Sequence, residues 1–160
     1  MNSESISREL SSYFHWLRSL ARDGNSQPAG VSKWYESHSM ECYTRAGVFA
    51  GWKYDRPVVC LANIRIRQEF RGHGLFSSII RMLQDEADLF ALHRIEVERV
   101  ENTRLSDWLA RNHFSIYSWR SGIPSTTYFL DVVKSQPALA NGGQSASAAA
   151  PGPARRSPAS

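Results

Sequence analysis

Cysteine is scarce in this 160-residue chain. Cys42 and Cys60 stand alone, with no CxxC and no metal-ligand spacing, so neither a disulfide framework nor a zinc site is expected and both thiols are read as small buried hydrophobes. Long apolar runs are missing too: Pro57 to Ala62 and Leu89 to Leu92 fall far short of the ~20 residues that cross a bilayer, so no membrane partner is expected. The opening Met1-Asn2-Ser3-Glu4-Ser5 has neither the basic start nor the apolar core of a secretory signal, which implies a cytoplasmic, reducing setting. A strong charge of one sign is also lacking. The net charge is +4, and without Arg155 and Arg156 near the C-terminus the 19 basic residues become 17 against 15 acidic ones. That excess argues against general nucleic-acid binding, although Arg65, Arg67 and Arg71 form a local cluster that suits an anion. No internal repeat is present, which excludes solenoids and propellers.

What remains is enough for one domain: 42% hydrophobic and 11% aromatic residues can build a core. The expected domain covers 1–134. Residues 135–160 are almost wholly Ala, Ser, Pro and Gly, cannot bury enough apolar surface to offset ordering, and are expected to be a disordered tail. Ile6, Leu10, Tyr13, Leu17 and Leu20 recur every three or four residues, the period of a helix face, with Asp23-Gly24 as the expected C-cap. A loop over 25–30 follows, then β-leaning pieces at Met40 to Thr44 and Val48 to Trp52. Pro57 to Arg67 begins as a continuous apolar run and then alternates, a strand buried at its start and half exposed at its end. Gln68 to Gly74 is a turn, and Leu75 to Phe90 a helical pattern of about four turns. A strand over Arg94 to Val100, a helix from Thr103 to Asn112 and a last strand from Tyr128 to Val133 complete an α/β domain, a central mixed sheet flanked by helices.

The chemistry gathers where the strand ending Ile64-Arg65-Ile66 gives way to Arg71-Gly72-His73-Gly74 and a helix begins directly with Leu75, Phe76 and Ser77. Glycines let a backbone approach a ligand, the first helical amides are free donors, and the dipole favours negative charge, so this loop is either a phosphate cradle or an ordinary tight turn. It is not a Walker A, which ends Gly-Lys-Ser/Thr, and it lacks the third glycine of a dinucleotide fingerprint.

Here the chain resembles the GNAT superfamily of acyl-CoA-dependent N-acyltransferases, whose signature is Arg or Gln, two residues, Gly, one residue, then Gly or Ala. Arg71 and Gly74 fill the first two places, and Phe76 stands where the small residue is usual. Glu101-Asn102, a helix and Asn112-His113-Phe114 resemble the family's Asn, helix, Tyr, Gly-Phe block, with Leu109 in the Tyr place and His113 in the Gly place. The resemblance runs from about Pro57 to Val133; residues 1–56 match in the order of elements. It is closest to small phage-type or bacterial GNAT-like proteins with an Ala-Asn-Ile strand before the loop.

The resemblance implies an N-acetyltransferase that uses acetyl-CoA on an amine of a small molecule, protein or aminoacyl-tRNA. Ile64, Arg65 and Ile66 would pair with the pantetheine arm. Arg71, Gly72, His73, Gly74, Leu75, Phe76 and Ser77 would hold the pyrophosphate, and Asn102 would sit near the thioester. Asn102 is also a natural N-cap for the Thr103 helix, a role that can coexist with the first. The reaction needs a base, and Glu96 and Glu98, on one face of their strand, are the candidates, either a pair that raises one pKa by mutual repulsion or an exposed polar face. Asn63 orients substrate or water, or is a satisfied buried amide. His73 is a proton carrier or a solvent-facing loop residue. His15, Trp16, Trp34 and Tyr35 line an acceptor pocket or the core, and Tyr117 and Tyr128 are hydroxyls able to stand in for the acid that Leu109 cannot supply. With that acid replaced, the alternative is a GNAT-fold protein that has lost turnover and binds CoA or a protein partner. Exposed aromatics permit a homodimer.

Overall fold

Residues 3–49, 56–117 and 126–132 are described by the computed structural model. Helix α1, Ser3–Asn25, buries Tyr13, Leu17 and Leu20 on the expected face, with Glu4 in its first turn and Arg22 in its last, each matched to the helix dipole. It does not stop at the expected Asp23-Gly24 cap. Gly24 lies inside the last turn because another chain segment passes there: a β-carbon on it would sit 2.1 Å from the Ala46 carbonyl oxygen.

Strands β1 (Val31–Glu36) and β2 (Met40–Gly47) form an antiparallel hairpin, followed by β3 (Val58–Ile66). Val48 and Phe49, expected in a strand, lie outside one, and 50–52 fall outside the described residues. After a 3-10 turn at Gln68–Phe70, helix α2 spans Leu75–Asp85. It is three turns long and not four; a run of turns through Ala91 carries Ala87 and Phe90, still buried, to β4 (Arg94–Val97), which ends before the expected Val100. Helix α3 (Thr103–Arg111) leads to the two-residue β5 (Ser115–Ile116), and β6 (Tyr128–Asp131) returns antiparallel to it. The expected tail and Val133 lie outside the described residues.

The strands form one mixed six-stranded sheet in the order β1-β2-β3-β4-β6-β5. β3 and β4 are its parallel pair, joined by the crossover through α2. Val59, Leu61, Ile95 and Val97 pack on the helical side with Leu17, Leu75, Ile79 and Leu83. No described helix is long and apolar enough to cross a membrane.

One irregularity in β3 positions the site. Pairing with β2 jumps from Thr44↔Leu61 to Tyr43↔Asn63, so Ala62 is a bulge with no partner. Odd-numbered Val59 and Leu61 face the helices before it, and even-numbered Ile64 and Ile66 do so after it. Asn63 and Arg65 are thereby placed on the opposite face, the side of Cys60.

Candidate functional site

β3 and β4 pair only over Val58–Leu61 and Arg94–Val97, and the Glu98 amide donating to the Leu61 carbonyl at 3.0 Å is the last bond between them. β3 then continues to Ile66 paired with β2 alone. The two strands part as a fork, and one backbone edge of residues 62–66 is left without a neighbouring strand. That edge is a template for a further extended chain.

Six residues beyond Ile66 the chain enters its left-handed turn. Gly72 (φ 78°) and Gly74 (φ 82°) adopt a conformation that costs an L-residue ~1–2 kcal/mol. Gly74 is the N-cap of α2 and brings no side chain to its amides, so those of Leu75, Phe76 and Ser77 remain available to an outside acceptor. Nothing lies within 4 Å of a β-carbon built on either glycine, so the cradle is open. Arg71 and His73 are exposed beside it, and Arg71 folds back so that its Nε donates to the Ile66 carbonyl at 2.8 Å. Leu75 is buried and anchors the helix start. Phe76 does not fill the cradle: its ring packs edge-on against Trp108 of α3, centroids 5.2 Å apart, while Ser77 is half-buried.

Asn102 caps α3, its Oδ1 accepting from the amides of Arg104 (2.9 Å) and Leu105 (3.3 Å). Leu109 is fully buried, and His113, in the place where the family pattern has Gly, is left-handed at φ 64°.

The carboxylates lie on the sheet face away from α1 and α2. Arg45, Cys60, Glu96 and Phe129 are neighbours in one row across β2, β3, β4 and β6. The alternation Ile-Glu-Val-Glu suggests a half-exposed strand, yet all four residues of β4 are buried and Glu96 is only 2% exposed. The Tyr117 hydroxyl donates to Glu96 Oε1, and Arg45 pairs with Glu98. Burial is the largest influence on Glu96 and pushes its pKa up; the Tyr117 hydrogen bond and the Arg94 charge pull it back, and repulsion from Glu98, the cause expected from sequence, comes after these. Cys60 Sγ and one oxygen of each glutamate lie within 4.8 Å of one another, a metal-like spacing in which both carboxylates already have partners. Burial and the adjacent carboxylates hold the Cys60 thiol well above its ordinary pKa.

Asn63 is exposed and not a buried amide; it sits in the next row with Tyr43 and Trp34, whose rings are 5.2 Å apart. Trp34 is 50% exposed, whereas Trp16 and Tyr35 pack with Tyr13 at the core. His15 is exposed and Tyr128 is packed against the core. Sequence reasoning missed Arg94 altogether. Its one signal is a cation at the head of an apolar strand.

No protein-family model matches the chain, and no curated protein sequence matches it. Solved structures do match. The chain is similar to the ribosomal-protein-S18-alanine N-acetyltransferase from Escherichia coli, at 16% identity over 72% of this chain and 77% of that one, with a TM-score of 0.47. It is similar to an acetyltransferase of the GNAT family from Listeria monocytogenes at 16% identity, 59% and 58% coverage and a TM-score of 0.45. With the AtaT toxin bound to the C-terminus of its antitoxin AtaR and acetyl-CoA, identity is 14% and the TM-score 0.43, and the chain spans 59% of that protein's length.

Proposed function

We propose that this chain is an N-acetyltransferase that moves an acetyl group from acetyl-CoA to an amine. The observation that carries the reading is the fork: β3 outruns its pairing with β4, and the same strand runs within a few residues into an open, left-handed glycine turn and an uncapped helix start. A pantetheine arm alternates amide donors and acceptors and adds to the free edge at Ile64, Arg65 and Ile66 as a further strand would. Its pyrophosphate is bound by the amides from Gly72 through Ser77, with Arg71 and His73 beside them. Asn102, the N-cap of α3, would face the thioester end.

Acetyl-CoA supplies the activated acyl group. The amine nitrogen attacks the thioester carbonyl, the C–S bond breaks, and the proton lost by the amine passes to a carboxylate. Glu96 is the better base, because burial raises its pKa and so favours proton uptake, while Glu98 is already paired with Arg45. Asn63, exposed at the fork, orients the acceptor or a water. Leu109 cannot protonate the leaving thiolate, which takes its proton from solvent.

The test is isothermal titration of the full chain with acetyl-CoA and with CoA, followed by thiol release in the presence of a polyamine, a peptide with a free N-terminus and an aminoacyl-tRNA. Micromolar binding with release for one acceptor class is expected. Binding without release for any of them makes the chain a CoA-binding protein, and no binding at millimolar concentration removes the cofactor assignment.

A further inference from the structure

Arg94 is a buried cation with a fixed set of partners. Its side chain is 2% exposed, its Nε and Nη2 donate to Asp131 Oδ1 at 2.6 and 2.5 Å, and its guanidinium lies 4.2 Å from the centre of the Phe129 ring. Its Nη1 donates to the Tyr117 hydroxyl oxygen at 2.9 Å. A guanidinium can only donate. The Tyr117 oxygen is therefore an acceptor on that side, and its single hydrogen turns to Glu96 Oε1. With Oε1 held as an acceptor, a proton on Glu96 has one place left, Oε2.

We propose that Arg94 and Tyr117 form a positioning relay that divides the work of the Glu96 carboxyl: Oε1 is fixed as an acceptor, and Oε2 alone takes up and releases the proton of the acceptor amine. The relay rests on the acetyltransferase reading for the source of that proton. It also assigns Tyr117 against the role of acid to the leaving thiolate, since its hydrogen is committed to Glu96. Among the described residues, the charged or titratable groups around the carboxyl are Arg94 on its own strand, Glu98 two residues on, Cys60 from β3, Arg45 from β2 and Tyr117 after β5. Asp131, on β6, reaches Glu96 only through Arg94.

Tyr117→Phe removes one oxygen and keeps the ring that packs on Phe129 at 4.7 Å. The full chain, labelled with carbon-13 at the glutamate carboxyls, is titrated by NMR as wild type and as Tyr117→Phe, with Glu96→Gln identifying the resonance. Loss of the donor should move the Glu96 titration to higher pH, because the hydrogen bond favours the ionised form. With acetyl-CoA and whichever of the three amine classes the wild type accepts, kcat should fall about tenfold and the acid limb of the pH profile should rise with the titration, while KM for acetyl-CoA stays within about twofold. An unmoved Glu96 titration overturns the relay, and so does a lost alkaline limb, which would make Tyr117 an acid in its own right. A wild-type chain that transfers nothing removes the acetyltransferase reading, and the titration without acetyl-CoA still decides whether Tyr117 governs Glu96.

Discussion

The Phe114 amide donates to the Leu109 carbonyl across 3.0 Å, closing α3 over a left-handed His113 whose own amide reaches the Ala110 carbonyl at 3.2 Å. The two bonds satisfy carbonyls that the helix end would leave bare, and the buried Phe114 and Leu109 supply the apolar contact that usually accompanies such an end. Histidine pays for a β-carbon in this conformation and glycine does not. His113→Gly should therefore stabilise the domain by about 1 kcal/mol, a rise in Tm of roughly 2–6 °C in a thermal melt. An unchanged Tm would mean that His113 makes an offsetting contact.

Gly24→Ala should have the opposite sign to a helix-propensity argument. In an open helix interior the change gains ~0.5–1 kcal/mol, but here the new methyl falls 2.1 Å from the Ala46 oxygen and 2.7 Å from its carbon. Pushing α1 off the end of β2 should cost about 2 kcal/mol net, read as a lower denaturation midpoint. A stabilised variant would show that the helix end and β2 do not touch.

Glu96→Gln should stabilise the chain at neutral and higher pH. Folding raises the Glu96 pKa, so its carboxyl favours the folded state below the unfolded value and that contribution is lost as pH rises through the folded one. The amide has no charge to bury and still accepts from Tyr117. The variant's advantage in Tm should shrink as pH falls through the range where the wild-type carboxyl becomes protonated; an advantage independent of pH would contradict an ionised, buried Glu96.

Gly74→Asp should abolish acetyl-CoA binding in calorimetry and leave Tm within about 3 °C of wild type. The space around the new side chain is open, and aspartate tolerates the left-handed conformation and is a good N-cap, so its carboxylate takes the amides that a pyrophosphate needs. Retained affinity would move the phosphate site elsewhere.

The parts of this protein that were legible in the sequence are those whose signal is local. The period of Tyr13, Leu17 and Leu20, the apolar opening of β3 and the glycines at 72 and 74 each record a constraint that one segment feels by itself. The strand β1 was not legible because, at the sheet edge, only Tyr35 of its six residues is buried. The end of α2 was hidden because Ala87 and Phe90 keep a helical spacing through turns that are not helix. Glu96 read as half-exposed since alternation reports one wet face, whereas β4 is covered on both. Its partner Tyr117 lies 21 residues away beside a two-residue strand, a distance over which no periodicity carries.

Ala62 gives β3 something like a reading frame. Counted in twos from Val58, the strand would send Ile64 and Ile66 toward the carboxylates and Asn63 and Arg65 into the apolar core; the one residue without a partner restarts the count, and the same letters are displayed the other way up. The composition of the open edge is thus set twice, once by which residues are present and once by where the counting begins. A change of length at this point would rewrite the face of the fork without altering a single side chain in it.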